Sequence, residues 1–386
     1  MFIRRTENNW LTKWWLGVDK IVLFSVLALI IFGIVIQFAA SPYQARRMGL
    51  GDEYHFIKNV FIYLWLGLGV ILVVSNIKLQ VIRKFTMTVA YPISFIAMFA
   101  TLFFSKTKGA SRWINFGAMK IQPSEFLKPF FAIVVAMILV RIKDLHKKIK
   151  EEKSLTEIKN LKMRRNHYIL LLMFGILLPV CGVLMAQPDF GMTFTFIFVF
   201  LSEVFVAGLP WKILFLLGGM VVGLLPFAYK YFPHFLTRVN KFLMNDNYQL
   251  DKALDAIKES NILLGGHANN LKTIVPDIHT DFIFAAVIEE MGPVLALLLI
   301  LVFLILVMHI LYSLKSKKDS FVILSGIGVV SYLTFQIMYN LISTLGIGPT
   351  KGMTLPFISY GGSSFISSCL AIGIILSLLQ DQNLRR

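Results

Sequence analysis

The stretch PDIHTDFIFAAVIEEMG, Pro276 to Gly292, places ionisable side chains directly before a long apolar run. His279 and Asp281 precede Phe282, and apolar residues then dominate to about residue 312. Such a run exceeds the roughly 20 residues that a helix needs to cross a bilayer core of about 30 Å. An acid at the start of a membrane helix needs either a structural or a functional reason, because charge is costly in lipid.

Apolar runs of this kind recur along the whole chain. Its 386 residues are 57% hydrophobic and 15% charged, with a mean hydropathy of +0.73, whereas a soluble domain carries about 25% charged residues. We predict an all-α polytopic membrane protein, because the runs are too long and too uniform for barrel strands. A single integral membrane domain, residues 1–386, would contain ten spans, at about 21–41, 58–76, 86–104, 122–140, 167–187, 190–208, 212–231, 282–312, 321–345 and 357–380.

Basic residues predict the orientation of these spans. They concentrate in the N-terminal tail, residues 1–20, and in the loop 141–166. Short basic segments face the cytoplasm, so both termini are predicted to be cytoplasmic. Residues 232–281 then form a large extracytoplasmic loop between spans seven and eight. The first apolar run is too long for a signal-peptide core, so we expect an uncleaved first span.

The net charge of +17 does not require a nucleic-acid partner. Basic residues in a membrane protein usually mark cytoplasmic loops, and no binding to nucleic acid is expected. For the loop 141–166 two interpretations stay open: it could bind a partner, or it is a solvated and partly helical loop.

Polar motifs fall on the predicted outer side. The stretch "GASRWINFGAMKIQPSEFLKP" holds Arg112, Glu125 and Lys128. Glu125 and Lys128 are three residues apart and can pair on one helix face. The pair either neutralises itself within the membrane or contacts a substrate directly. Asp189, in "AQPDFGMT", is either a helix N-cap or a site residue.

Two further motifs carry candidates for chemistry. "GPTKGMTLPFISYGGSS" holds Lys351, Ser359 and Gly361, in either a tightly packed re-entrant segment or a ligand contact. Asp281 is the strongest catalytic candidate, because partial desolvation raises the pKa of a carboxyl, which can then accept a proton from an attacking hydroxyl. The alternative is an N-cap of a helix starting at Phe282. The residues alone predict an outer-facing cavity with acidic and basic groups, suited to a charged lipid.

At these residues the sequence resembles the SEDS family (shape, elongation, division and sporulation) of bacterial membrane proteins. "RWINFGAMKIQPSEFLKP", "QPDFG", "HTDFIFAAVIEEMG" and "LPFISYGGSS" occur in family order over nearly the whole chain. The resemblance implies a peptidoglycan glycosyltransferase that polymerises lipid II, an undecaprenyl-pyrophosphate-linked disaccharide peptide, outside the bacterial cytoplasmic (inner) membrane. "PTKGMTLPFISYGGSS" is more similar to the division members of the family than to the elongation members.

The resemblance also implies roles for individual residues. The family's catalytic aspartate maps to Asp281, which would take the proton from the acceptor sugar's 4-hydroxyl in an inverting transfer. The family's QPSEFxKP and QPD residues map to Glu125, Lys128 and Asp189. The candidate substrate-binding residues are Arg112, Glu125, Lys128, Asp189, His279, Lys351, Ser359 and Gly361.

A cofactor and partners follow from the same resemblance. A divalent cation, Mg²⁺ or Mn²⁺, would be held largely by the substrate's pyrophosphate, because no His/Cys cluster has metal-ligand spacing. The expected partners are a class B penicillin-binding protein, the septal transpeptidase, and other divisome proteins, at the division septum. One departure from the family is that residues 258–275 contain few glycines.

Three alternatives stay open. A lipid II flippase would carry charges near the bilayer midplane. The ionisable residues here cluster towards one predicted face, which favours an enzyme, whereas Glu203 in the sixth span favours transport. The second alternative is a protein without enzymatic activity that only recruits the transpeptidase. The third is a polymerase that acts in elongation rather than in division.

Overall fold

The computed structural model describes residues 10–49, 51–104, 111–116, 119–208, 278–349 and 352–380, with isolated residues between 219 and 254. Most of these residues are helical. In chain order the elements are α1 (Trp10–Gly17), α2 (Lys20–Arg47), α3 (His55–Ser75), α4 (Leu79–Phe103), β1 (Ile114–Phe116), β2 (Met119–Ile121), α5 (Pro123–Glu151), α6 (Leu155–Ala186), α7 (Phe190–Val206), α8 (Ile283–Lys315), α9 (Ser320–Thr344) and α10 (Gly362–Leu379).

The helices confirm the predicted all-α membrane class. Seven helices in the described ranges are long and apolar enough to cross a membrane, namely α2, α3, α4, α6, α8, α9 and α10. Helix α7 is a shorter apolar helix of 17 residues, and α5 has 29 residues. These helices coincide with all the predicted spans except the seventh, 212–231, which lies largely outside the described residues. The orientation of the termini stays a prediction.

Several predicted boundaries need correction. Helix α5 continues to Glu151 and α6 begins at Leu155, so residues 141–166, predicted to form a cytoplasmic loop, are helical except for 152–154. Residues 357–361, assigned to the tenth span, are not helical, and α10 begins at Gly362. The eighth helix begins at Ile283, with Phe282 at its capping position and no side-chain capping bond. Asp281 therefore precedes the cap, and the interpretation of Asp281 as the N-cap is wrong.

Prolines shape two of the spanning helices. A π-helical turn at Thr86–Ala90 comes just before Pro92 in α4, and another at Leu171–Leu177 comes just before Pro179 in α6. Proline cannot donate the i→i−4 hydrogen bond, and a widened turn lets the helix continue past it.

Helices α5, α9 and α10 form the interior of the bundle. Of the most apolar 18-residue stretch of each helix, 67% is buried in α9 and 78% in α10, against 17% in α3. Helix α5 packs against α4, α6, α7, α9 and α10. The outer helices present large apolar side chains such as Trp65 and Phe103, as expected for surfaces solvated by lipid tails.

All the predicted site residues that the structure describes lie at one end of the bundle. Here α2, α4, α6 and α9 end, and α3, α5, α7, α8 and α10 begin. The opposite end is tied by an ion pair between Arg83 and Asp319, 2.9 Å apart, and by a hydrogen bond between His309 Nε2 and Asp19 Oδ2, also 2.9 Å long.

Candidate active site

Asp281 belongs to a turn, residues 278–282, whose backbone is held by neighbouring elements. The carbonyl of His279 accepts hydrogen bonds from Gln37 Nε2 at 3.0 Å and from the Tyr360 amide at 2.9 Å. The carbonyl of Thr280 accepts from Ser359 Oγ at 2.6 Å. Burial of unpaired peptide groups is costly, so these bonds fix the path of the chain into α8.

The next carbonyl of the turn, that of Asp281, is held by α9. Asn340 Nδ2 donates to it at 3.0 Å and to the Met353 carbonyl at 2.7 Å. Asn340 is fully buried. Consecutive carbonyls from His279 to Asp281 thus each have a donor from outside the turn, which leaves the Asp281 side chain anchored on a rigid peptide.

The loop 352–361 lies beside this turn and completes the site. Gly352 sits against the Asp281 carboxylate so closely that an added Cβ would overlap its Oδ2 and Cγ atoms. The Asp281 residue itself is half-buried, and Gly352 is exposed. The Asp281 turn is therefore partly accessible at this end of the bundle.

Glu125 and Lys128 form a buried ion pair on the first turns of α5. Lys128 Nζ lies 2.7 Å from Glu125 Oε2, with side-chain exposures of 1% and 5%. Lys128 also donates to Gln336 Oε1 at 2.9 Å. The pairing that the spacing predicted is confirmed, and a direct contact with substrate stays a prediction.

Gln336 extends the ion pair towards the loop. Its Nε2 donates to the carbonyl and hydroxyl oxygens of Thr354, at 3.1 and 3.0 Å, and to Ser364 Oγ at 3.2 Å. Gln336 is one helical turn before Asn340 on α9. Two successive amides of α9 thus hold the loop 352–361 next to the Asp281 turn.

Arg112 and Asp189 form a second charged pair. Arg112 Nε lies 3.3 Å from Asp189 Oδ2, and the guanidinium also donates to the carbonyls of Gln187 and Pro188. Asp189 Oδ1 accepts from the Met192 amide at 3.2 Å, so the predicted N-cap of α7 is confirmed. The pair joins the segment before β1 to the turn between α6 and α7.

An apolar groove runs between α2 and α3 and ends at the loop. Its volume is about 340 Å³, including space open to its surroundings. It is lined by Ile30, Gly33, Ile34, Gln37, Val60, Tyr63, Leu64, Phe357, Ile358, Ser359, Tyr360, Gly361 and Phe365. The walls of this groove are mostly apolar, and Gln37, Ser359 and Tyr360 are among the polar residues that line it.

Tyr360 lines this groove, and its ring packs beside that of His279. The two rings are 5.4 Å apart, and both pack against Phe56 at 5.0 Å. Asn59 Nδ2 donates to the Tyr360 hydroxyl at 3.3 Å. Burial raises the pKa of Tyr360 to about 12, so its hydroxyl is neutral at working pH.

The structure places the predicted residues in distinct roles. His279 and Ser359 hold or flank the Asp281 turn, and Gly361 caps α10 and lines the groove. Lys351 lies outside the described residues, as does most of 232–281, including the glycine-poor segment 258–275. Sequence reasoning missed Gln37, Gln336, Asn340 and Gly352, since isolated amides and a glycine within apolar helices and loops carry no local signal of their partners.

Comparison with known proteins agrees with this fold. The chain belongs to the FtsW/RodA/SpoVE family of cell cycle proteins, whose family model matches residues 19–384. It is 31% identical over 383 residues to the probable peptidoglycan glycosyltransferase FtsW of Caulobacter vibrioides, covering 98% of this chain and 93% of that one. It is also 31% identical over 374 residues to the protein of the same name in Geobacter metallireducens, covering 93% and 94% of the two chains.

Solved structures give the same result at the level of the fold. A chain of a peptidoglycan synthase complex, described as coordinating polymerization and crosslinking, matches with a TM-score of 0.74 and 26% identity, over 95% of this chain and 98% of that one. The rod shape determining protein RodA of Thermus thermophilus matches with a TM-score of 0.65 and 23% identity, over 95% and 97% of the two chains.

Proposed function

We propose that this protein is a peptidoglycan glycosyltransferase that polymerises lipid II at the outer face of the bacterial cytoplasmic membrane. The observation that carries the proposal is the half-buried Asp281 carboxylate, anchored at one end of a membrane bundle beside an apolar groove. FtsW relatives named as probable peptidoglycan glycosyltransferases cover nearly the whole chain. A lipid-linked sugar needs both features of the site, a path for its chain and a base for its reacting hydroxyl.

The chemistry is an inverting glycosyl transfer with Asp281 as the general base. Asp281 accepts the proton of the acceptor sugar's 4-hydroxyl, whose oxygen attacks the anomeric carbon of the donor. The bond from that carbon to the lipid pyrophosphate breaks, and the electron pair leaves with the pyrophosphate. A positioned base contributes about 10²–10⁴-fold to such a step.

The leaving pyrophosphate requires positive charge, because it carries the electron pair away. Lys351 and Arg112 are the candidates outside the buried Glu125–Lys128 pair, and Arg112 is already shared with Asp189. Mg²⁺ or Mn²⁺ bound to the pyrophosphate would supply the rest of the charge. Among the described residues no group of three His, Cys, Asp or Glu side chains could hold a metal ion, so hard oxygen ligands from the substrate fit better than a protein site.

The partner and the location belong to the same proposal. A matching chain comes from a peptidoglycan synthase complex. Two relatives that are 31% identical to this chain are FtsW proteins. We therefore propose that this protein works with a class B penicillin-binding protein, the septal transpeptidase, among the divisome proteins at the division septum. Depletion in cells separates the roles, because filaments indicate division and rounded cells indicate the RodA-like role in elongation.

The test of the enzymatic activity is polymerisation of lipid II by the purified protein with its transpeptidase. Asp281→Ala should lower the rate by at least about 100-fold, with the variant still folded and still bound to its partner. Asp281→Asn is the isosteric control, since it keeps the shape of the side chain and loses the base. Polymer formed by either variant at the wild-type rate contradicts the proposal.

A lipid II flippase is the second candidate, and Glu203 favours it. This residue is fully buried on α7, and its two carboxyl oxygens have no hydrogen-bond partner among the described residues. An added Cβ at Gly328 of α9 would overlap the Glu203 carboxyl. Isolated acids inside membrane bundles commonly serve transport. The test measures movement of lipid II across the membrane of liposomes. Movement by the wild type without polymer formation, lost in Glu203→Gln, would establish the flippase.

A further inference from the structure

We propose that Gln37 and Asn340 act as an amide clamp, a pair of positioning residues that set the Asp281 carboxylate in its reactive place. The inference rests on the proposed function, because it assigns to the clamp a part in the rate of glycosyl transfer. Neither residue carries a role in the chemistry described above.

Each amide of the clamp bridges the Asp281 turn to the loop 352–361. Gln37 Nε2 donates to the His279 carbonyl at 3.0 Å and to the Ile358 carbonyl at 2.9 Å. From the opposite side, Asn340 Nδ2 donates to the carbonyls of Asp281 and Met353. The two segments are therefore stapled together at two points, one from α2 and one from α9.

The two segments that the clamp joins, the Asp281 turn and the loop 352–361, meet at the Asp281 carboxylate. Gly352, adjacent to the Met353 that Asn340 holds, contacts the Asp281 carboxylate. With the peptide of Asp281 fixed at its carbonyl, the position of the carboxylate relative to that peptide depends on the two side-chain torsions of the aspartate. The clamp thus determines where the carboxylate stands relative to the loop that faces the substrate.

The orientation of the Gln37 amide is itself fixed. Gln37 Oε1 accepts a hydrogen bond from Ser41 Oγ at 2.5 Å, one helical turn along α2. The two carbonyls can only accept, so they assign the NH₂ group to themselves and leave the oxygen for Ser41. Gln37, Ser41 and Asn340 are 2%, 0% and 0% exposed, so water does not replace these donors.

Burial also separates positioning from catalysis. The Nδ2 group of Asn340 has two N–H bonds, and both donate to backbone carbonyls. The same holds for Nε2 of Gln37. Neither amide has a donor left for a substrate, so their effect passes through Asp281.

The test compares lipid II polymerisation by the full-length protein with its transpeptidase at varied lipid II concentration. Asn340→Leu keeps the number of side-chain heavy atoms, Gln37→Leu shortens the side chain by one heavy atom, and both remove the donors. We expect kcat to fall roughly 10- to 100-fold, since a shift of about 1 Å can cost about 100-fold, while KM for lipid II stays within about twofold. Asn340→Ser, which keeps one donor, and Ser41→Ala, which frees the Gln37 amide, should give smaller losses of kcat alone.

Folding is controlled in the same experiment. Ser325→Ala removes a fully buried hydroxyl of α9 that lies about 22 Å along the helix from Asn340, and it should keep the wild-type kcat. Melting temperature and retention of the transpeptidase are measured for every variant. If a leucine variant does not fold, Asn340→Ser and Ser41→Ala decide the matter, because each changes only a few atoms.

The outcomes separate the clamp from the enzyme. Wild-type kcat in the folded clamp variants, or a raised KM with unchanged kcat, overturns the clamp. If Asp281→Ala is inactive in that case, the proposed function stands without it. If Asp281→Ala polymerises lipid II at the wild-type rate, the proposed function itself is lost.

Discussion

Gly352 leaves no room for a side chain between its backbone and the carboxylate of Asp281, although the two residues are 71 positions apart in the sequence. Gly352 is exposed and Asp281 is half-buried, so the contact lies where substrate can enter. This relationship joins the loop before α10 to the turn before α8, and it makes the loop part of the site.

Gly352→Ala should therefore displace the Asp281 carboxylate and lower the polymerisation rate by roughly 10-fold or more. Gly69→Ala, whose Cβ would meet nothing within 4 Å, is the matched control and should keep the wild-type rate. A Gly352→Ala enzyme with unaltered kcat would show that the carboxylate can move without consequence.

The buried ion pair of α5 gives a prediction about stability. Lys128→Met leaves Glu125 as an uncompensated acid in the interior, and removal of one partner of a buried pair costs about 3–5 kcal/mol. The double variant Glu125→Gln/Lys128→Met removes both charges and should recover much of this loss. Thermal unfolding in detergent measures it, and equal losses in the single and double variants would contradict the pairing.

The pair between Arg112 and Asp189 can be separated into its two functions. Asp189→Asn keeps a side chain that caps α7 and removes the charge, whereas Asp189→Ala removes both. Loss of an N-cap costs typically about 1 kcal/mol, so Asp189→Ala should melt at a lower temperature than Asp189→Asn. If the two variants melt alike, the hydrogen bond to the Met192 amide contributes nothing measurable.

Chelation tests how a divalent cation would take part. If the ion arrives on the substrate's pyrophosphate, a chelator should abolish polymerisation, and both Mg²⁺ and Mn²⁺ should restore it, because no protein cage selects between them. The apoprotein should keep its melting temperature in chelator. A large fall in melting temperature would instead indicate a resident metal site.

The sequence predicted the helices and the Asp281 carboxylate as the candidate base. The structure showed which side chains hold the turn that carries it. Long apolar runs predicted where the described helices lie, since hydropathy is a local property, but not that α5 and α6 continue through the charged segment 141–166. Local geometry also predicted the pairing of Glu125 with Lys128, three residues apart on α5, and the cap at Asp189. The amides at 37, 336 and 340 stayed unassigned, because nothing in the neighbouring sequence shows which carbonyls they meet.

The amino-acid sequence by itself determined that this protein is a bundle of membrane helices and that an acid, Asp281, stands at the start of one of them. Only the tertiary structure decided what holds that acid, because the donors come from residues distant in the chain. Gln37 reaches His279 across 242 positions and Asn340 reaches Asp281 across 59. Such pairings depend on which helix faces pack together. That packing depends on the contacts among all the helices of the bundle and not on the local sequence.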